Sequence, residues 1–253
     1  MSDIKVYPVG RCIYCHADNS ECELTDEHVI PYALNGWLVL QKASCKRCAS
    51  ITGAIEQRCL RGMLLEARTH LKMKTRRPKQ RPNKFPIITD CHGKKEITHL
   101  PISENPMLLR LPILAEPSAL SGKTAGDWVI HLSPMFWTFV GANTPAQRAN
   151  INRCRKEFDY SPGDFVLFLG KIAYATAIAY KGYGTFVPIM DKIIVERSSS
   201  ICDFVGGCPN PLFEERDTSL HVNVRTGKDF VRVEICLFAH LGAPYYQVIV
   251  GKP

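Results

Sequence analysis

The residues best suited to chemistry lie near the start of the chain, between two Cys-x-x-Cys pairs. The pairs are formed by Cys12, Cys15, Cys45 and Cys48. Four thiolates at this spacing predict one tetrahedral Zn²⁺, and four cysteine ligands leave such an ion no open position, so its role would be structural. The alternative is four buried thiols without a metal. A zinc ion that fixes two distant segments would also fix the segment Asp26-Glu27-His28-Val29-Ile30-Pro31 between them.

A carboxylate followed by a histidine can serve phosphodiester hydrolysis. The reaction needs a base to activate water and a divalent cation to neutralise charge on the phosphate. His28 would supply the base, because imidazole titrates near neutral pH. Glu27 would give a carboxylate to Mg²⁺ or Mn²⁺, ions that prefer hard oxygen ligands. The alternative for His28 is a histidine packed at the end of a strand.

The surrounding residues predict the order strand, loop, strand, helix. Glu23–Ile30 is typical of a strand that ends at Pro31, and Leu38–Leu40 of a second strand. A helix follows the second cysteine pair, since apolar residues recur there every four positions, at Ile51, Ile55, Cys59 and Met63. Neighbouring strand residues point to opposite faces, so Glu27 and His28 can reach one phosphate only where the strand ends. Asn35 is a further candidate for positioning substrate or histidine, although Asn35-Gly36 is also a simple turn signal.

These features together resemble the HNH endonucleases with a zinc-knuckle support, which belong to the wider ββα-metal, or His-Me finger, nucleases. The resemblance covers residues 12–57, and its motifs are Cys12-x-x-Cys15, Leu24–Pro31, Ala43-Ser-Cys45-x-x-Cys48 and Gly53–Glu56. It implies cleavage of DNA to 5′-phosphate and 3′-hydroxyl ends. It also implies that Glu27, rather than Asp26, binds the catalytic ion, which leaves Asp26 to orient the histidine or bind the backbone.

The chain departs from the family pattern at one position. In that pattern the residue directly after the last cysteine is an asparagine or histidine that gives the catalytic ion its second protein ligand, whereas here it is Ala49. Glu56 is the first-choice substitute, because seven residues advance a helix by about two turns and return to nearly the same face. Thr52 is closer but shares the face less well, and Ser50 faces away. The alternative for Glu56 is a surface glutamate paired with nearby Lys and Arg.

Charge along the chain points to a nucleic-acid partner, and the resemblance implies that this partner is DNA. The net charge is +8, yet residues 42–84 alone hold thirteen Lys or Arg against two Asp or Glu. The densest part, Arg68–Lys84, has eight basic residues and no acid. Such a segment attracts phosphates independently of sequence, although it could also be a solvated linker. The predicted phosphate contacts are Lys42, Lys46, Arg47, Arg76 and Arg77.

Composition describes an ordinary globular chain of 253 residues with 45% hydrophobic residues. No basic segment followed by an apolar stretch begins it, so we expect a cytoplasmic protein. The longest apolar run, Phe165–Ala179, is interrupted by Lys171 and predicts a buried core helix rather than a membrane span. The other seven of the eleven cysteines lack partner spacing and predict no disulfide.

The predicted fold class is α+β, with three parts. A zinc-bound ββα-metal module spans residues 10–72, a basic proline-containing linker spans 73–96, and a mixed α+β domain spans 97–253. The last domain is predicted to end in an antiparallel sheet, and its role is left open between targeting, sensing and formation of homo-oligomers. The predicted elements are strands at Trp128–Leu132, Phe136–Val140, His221–Arg225, Phe230–Phe238 and Tyr245–Val250, and helices at Pro145–Phe158 and Phe165–Tyr180.

Three functions are compatible with the sequence. The first is a metal-dependent HNH endonuclease that cuts DNA. The second is a zinc-stabilised nucleic-acid-binding protein whose nuclease site is weak or inactive, with Ala49 as the cause. The third is an interaction module whose cysteine pairs bind another protein.

Overall fold

The computed structural model describes residues 4–6, 8–91, 94–123, 135–140, 144–151, 161–212 and 217–253. Both helices and strands occur along these residues. In chain order they are β1 (Ile4–Val6), β2 (Leu24–His28), β3 (Leu38–Cys45), α1 (Lys46–Arg61), α2 (Leu65–His70), β4 (Lys84–Cys91), β5 (Lys94–Pro101), β6 (Met107–Pro112), α3 (Ser118–Ser121), β7 (Met135–Val140), α4 (Pro145–Ile151), α5 (Pro162–Lys181), β8 (Val187–Pro188), α6 (Met190–Glu196), α7 (Ile201–Phe204), β9 (Val205–Gly207), β10 (Leu220–Thr226), β11 (Val231–Leu237) and β12 (Tyr246–Lys252).

The N-terminal module has the predicted order of strand, loop, strand and helix. β2 and β3 pair antiparallel, and β1 joins the other edge of β3 in parallel. The loop between β2 and β3 depends on Gly36, because a Cβ there would lie 2.0 Å from the carbonyl oxygen of Ile30. Asn35 precedes it in the left-handed region, with φ of 64°. This close approach turns the chain back immediately after His28.

The C-terminal part ends in the predicted antiparallel sheet. Five strands form it, in the order β10, β11, β12 and β8, with β9 also paired to β12. Two separate hairpins, β4 with β5 and β6 with β7, precede it in the chain. β4 covers the last part of the segment that the sequence predicted as a linker, and its side chains Phe85 and Ile87 are buried. The predicted strand at Trp128–Leu132 lies outside the described residues, as does the second half of the predicted helix Pro145–Phe158.

One helix, α5, forms the centre of the protein. Pro162 occupies its first turn, where a missing backbone N–H costs nothing, and Gly182 ends it. α5 packs against α1 on one side and against β11 and β12 on the other. A single cluster of buried apolar residues therefore includes both the N-terminal module and the C-terminal sheet.

The same helix is long and apolar enough to cross a membrane by the criteria of length and composition. Its most apolar stretch is 78% buried inside the protein. A core helix passes the same test, so this property is weak grounds for a membrane span. Its burial agrees with the prediction of a core helix from Phe165–Tyr180.

A buried carboxylate ties α5 to α1. Asp164 is only 4% exposed and accepts hydrogen bonds from Ser161 Oγ at 2.6 Å, from Arg58 of α1 at 3.2 Å and from Arg197 after α6. Burial acts to raise the pKa of Asp164, but these three partners outweigh it and lower the pKa below its usual value. The charged form of Asp164 therefore stabilises the contact between the two parts of the chain.

We expect Asp164→Asn to lower the free energy of unfolding by about 2 kcal/mol at neutral pH, since hydrogen bonds to charged groups are lost. A group with a depressed pKa stabilises the fold above the pKa of the unfolded chain, about 3.9 for Asp, and loses this effect as pH falls through the folded pKa. The difference between wild type and variant, measured by urea unfolding, should therefore shrink below pH 4 or so. Glu196→Gln, an exposed neighbour, is the control. Equal stability at neutral pH would contradict the role of Asp164.

Candidate active site

His28 and Glu27 end β2 and both line a cleft of about 920 Å³. The pairing of β2 with β3 shifts register between Thr25 and Glu27, so the regular alternation of the strand is broken just before these two residues. His28 is half-buried, with its Nε2 atom inside the protein, and its ring meets the edge of Tyr32 at a centroid distance of 6.5 Å. Asp26 also lines the cleft, and its Oδ1 accepts a hydrogen bond from the backbone N–H of Lys42.

Helix α1 forms the opposite wall of this cleft. Ala49 and Glu56 both line it, as expected for residues two helical turns apart. Thr52 lies between them, but it is buried and its hydroxyl donates to the carbonyl oxygen of Cys48 at 3.2 Å. Ser50 is exposed and is not among the residues that line the cleft. Glu56 is therefore the carboxylate that α1 brings to the cleft with Glu27.

A lysine from α5 joins the two carboxylates. Lys171 has no exposed side-chain surface, and its Nζ lies 2.8 Å from Oε1 of Glu27 and 2.7 Å from Oε1 of Glu56. The same ammonium donates to the backbone carbonyl oxygen of His28. Burial acts to lower the pKa of Lys171, but the two carboxylates outweigh it and raise the pKa above its usual value, so the amine is charged at neutral pH.

Tyr14, from the first cysteine pair, completes the surroundings of Glu27. Its hydroxyl donates to the same Oε1 atom at 3.2 Å. Burial, and then the charge of Glu27, raise the pKa of Tyr14 well above its usual value, so it remains a proton donor. Residues 12–15 thus contact the candidate site directly.

The two carboxylates fit a divalent cation on the cleft side. Each uses Oε1 for Lys171, and among the described residues no hydrogen bond or ion pair reaches Oε2 of Glu27 or of Glu56. Mg²⁺ is commonly held by one or two carboxylates, with water and substrate phosphate completing its shell. The Oε2 atoms of Glu27 and Glu56 could therefore hold such an ion, whereas Ala49 offers it no ligand atom.

The four cysteines predicted as zinc ligands do come together. Their Sγ atoms, from Cys12, Cys15, Cys45 and Cys48, all lie within 4.8 Å of one another. Cys15 and Cys45 are 3.7 Å apart, close to the sulfur–sulfur distance of about 3.8 Å that a tetrahedral metal–sulfur length of about 2.3 Å requires. The cluster could therefore hold a metal ion. The nine cysteines with described side chains are all free thiols.

Cys45 also begins helix α1. As the residue before the first turn, it accepts a hydrogen bond from the backbone N–H of Cys48 through its Sγ. Burial acts to raise the pKa of Cys45, but this N–H and the neighbouring thiols outweigh it and lower the pKa to about 7. Burial raises the pKa of Cys15 and of Cys48 instead, so Cys45 is the one of these three that favours the thiolate, the form that binds metal. The cluster thus fixes the start of the helix that carries Glu56.

The basic segment forms a further wall of the same cleft. Five arginines line it, Arg61, Arg68, Arg76, Arg77 and Arg81. Tyr32, beside His28, is the aromatic centre of this wall, since Lys74 and Arg76 lie over its ring at 5.3 and 5.7 Å. Arg68 is largely buried and donates to the carbonyl oxygens of Ala33 and Leu60, so it holds the wall together rather than facing a ligand.

The remaining predicted site residues lie outside the cleft lining. Asn35 Oδ1 accepts a hydrogen bond from the backbone N–H of Lys74, so its side chain anchors the basic segment to the loop after β2. Lys42, Lys46 and Arg47 are exposed, and Lys46 pairs with Glu23 at 2.5 Å. Of the five predicted phosphate contacts, Arg76 and Arg77 line the same cleft as the candidate catalytic residues.

From the sequence, Lys171 was predicted only to interrupt an apolar run, with no role in the site. A stronger signal was available, because a lysine inside a buried helix must find an acidic partner. Glu27 and Glu56 were the carboxylates already expected at a shared site. Tyr14 and Tyr32 carried no such signal, since aromatic residues are common in any core.

Residues 12–63 match the family model described as HNH endonuclease. The match contains both cysteine pairs, β2, β3 and 13 of the 23 residues that line the cleft, and it covers about a fifth of the chain. Comparisons with curated proteins and with solved structures each found no match. Residues 12–63 of this chain, called the HNH module below, thus resemble the HNH endonucleases, as their motifs predicted, and this likeness points to a nuclease that acts on nucleic acid.

Proposed function

We propose that the protein is a metal-dependent endonuclease that hydrolyses phosphodiester bonds of DNA in this cleft. One observation carries the proposal: His28, Glu27 and Glu56 line the same cleft as Arg76 and Arg77. The arginines would bind the phosphate backbone without reading sequence. A chain bound along the arginines would thereby pass the histidine.

His28 would act as the general base through Nδ1, since Nε2 is buried. It would take a proton from a water molecule, and the hydroxide would attack phosphorus and break its bond to the 3′ oxygen. The leaving 3′ oxygen would take a proton from solvent water, which gives a 3′-hydroxyl and a 5′-phosphate. Mg²⁺ or Mn²⁺ bound to Glu27 and Glu56 would neutralise the charge that develops on the phosphate and the leaving oxygen. Tyr32 and the bond from Lys171 to the His28 carbonyl oxygen would hold the histidine in place.

The second candidate is a nucleic-acid-binding protein with a weak or inactive nuclease site. It is favoured by the pairing of Lys171 with both carboxylates and by Ala49 at the position where the family has a ligand. Both candidates keep the same cleft, the same basic wall and the structural Zn²⁺. They differ only in catalysis.

Plasmid cleavage separates the two candidates. Wild type with Mg²⁺ or Mn²⁺ should nick or linearise supercoiled plasmid, and His28→Ala should be about 10²–10⁴-fold slower, the usual contribution of a general base. Glu56→Ala should also lose rate and require more metal. His240→Ala, an exposed histidine far along the chain, is the matched control. If wild type leaves plasmid intact with every metal while salt-sensitive binding persists, the second candidate holds instead.

Elemental analysis and thermal melting test whether the four cysteines bind zinc. Purified protein should contain one Zn²⁺ per chain by elemental analysis, and Cys48→Ser should lose the metal and melt at a lower temperature, because binding energy at such sites is folding energy. Cys208→Ser, a buried cysteine outside the cluster, should keep full zinc content. A wild-type protein that is folded without zinc, and whose melting temperature a chelator does not change, would exclude a structural zinc.

Binding to a short DNA duplex tests the basic wall. Arg76→Ala should weaken binding about equally for different sequences and reduce the slope of log affinity against log salt by about 1, as expected for one lost phosphate contact. Lys79→Ala is the matched control, since Lys79 belongs to the same basic segment but does not line the cleft. Equal losses in the two variants would mean that the segment acts as diffuse charge and not as a wall of the site.

A further inference from the structure

Lys171 has an unusual position for a charged residue. It lies on α5, outside the HNH module, and none of its side chain is exposed. An ammonium has three N–H donors, and here three acceptors receive them: Glu27 Oε1, Glu56 Oε1 and the carbonyl oxygen of His28. All three N–H groups of the Lys171 ammonium thus bind candidate catalytic residues.

The geometry divides each carboxylate between two tasks. Oε1 of Glu27 and of Glu56 contacts the buried ammonium, which leaves Oε2 of each for a ligand, and both residues line the cleft. Without the lysine, two carboxylates this close to one point would repel each other until a cation lay between them. The ammonium therefore holds the two candidate metal ligands together before any ion arrives.

The same ammonium changes the charge that an ion would meet. Two carboxylates and one ammonium sum to −1 instead of −2, and the arginines on the neighbouring wall add positive charge. The fixed positive charge of Lys171 repels a divalent cation that binds a few ångströms away. A bound phosphate adds negative charge to the site and offsets this repulsion.

We propose that Lys171 is a positioning residue of the nuclease site, which fixes Glu27, Glu56 and the His28 backbone and keeps the affinity for a divalent ion low until a nucleic-acid phosphate is bound. This inference rests on the proposed nuclease function. It assigns part of the active site to the C-terminal region, and it couples metal binding to substrate binding through the charge of one side chain.

Titration of Mn²⁺ without nucleic acid, with free Mn²⁺ followed by electron paramagnetic resonance, tests the charge effect. Lys171→Met should bind Mn²⁺ at least about tenfold more tightly than wild type, because a unit charge a few ångströms away is removed. Lys181→Met removes a lysine from the other end of the same helix, where it binds Thr226, and should leave Mn²⁺ affinity unchanged. Folding of each variant is verified by circular dichroism.

A second pair of variants keeps the test decisive if Lys171→Met does not fold. Glu56→Gln leaves Glu27 and Lys171 balanced, and the double variant Glu56→Gln, Lys171→Met leaves one carboxylate alone. The double variant should bind Mn²⁺ more tightly than Glu56→Gln. The difference isolates the effect of the lysine without leaving two buried carboxylates unpaired.

The coupling is measured by adding a short DNA duplex. In a His28→Ala background, which keeps the duplex intact, the duplex should raise Mn²⁺ affinity about tenfold or more when Lys171 is present, and much less in Lys171→Met. In cleavage assays Lys171→Met should have a lower kcat although it binds Mn²⁺ more tightly. A residue with a purely structural role would not produce this opposite change in affinity and rate.

Two results would overturn the inference. If folded Lys171→Met, and the double variant, bind Mn²⁺ no more tightly than their lysine-containing parents, the lysine does not oppose the ion. If wild type cleaves plasmid in the presence of a chelator and Lys171→Met does not, the lysine itself replaces the ion. Failure of the proposed function looks different: plasmid stays intact with wild type, while the Mn²⁺ titrations still report on Lys171.

Discussion

The ammonium of Lys171 is the contact on which the arrangement of the site depends. A buried charge is tolerated only when it is fully paired, and two separate parts of the chain supply the partners of this lysine on α5: the end of β2 and helix α1. Removing one partner from such a cluster typically costs about 3–5 kcal/mol, since it leaves an uncompensated charge in the core. The requirement to pair this lysine thus forces the three elements to converge where Glu27 and His28 meet the cleft.

The four-cysteine cluster acts on the same elements from the other end. Cys45 starts helix α1, and Tyr14, between Cys12 and Cys15, donates to the oxygen of Glu27 that Lys171 also contacts. A metal ion in the cluster would therefore set the position of Glu27 through one hydrogen bond and that of Glu56 through the helix start. The cysteine cluster and Lys171 therefore both restrict the positions of Glu27 and Glu56. This redundancy suits a module of this size, because the core of so short a segment supplies little stability by itself.

Features of the structure that depend on local spacing could be predicted from the sequence. The cysteine cluster, the order of β2, β3 and α1, and the shared face of Ala49 and Glu56 all follow from short-range periodicity and were predicted. Contacts across the fold were not, because Lys171 meets His28 over 143 positions and no local pattern encodes that pairing. The charge of the basic segment is evident from the sequence. The position of this segment against Tyr32 is not, because it depends on loop geometry set by Asn35 and Gly36.

The continuous core between the HNH module and the C-terminal sheet has a consequence for how such proteins are compared and engineered. The stretch recognised by family likeness, residues 12–63, contains the histidine and both carboxylates but not the lysine that joins them. The segment that the family model recognises is thus shorter than the part of the protein that must fold to build the candidate site. A graft of this module into another protein would carry its base and its acids and leave their counter-charge behind, unless the recipient offered a lysine at the same depth.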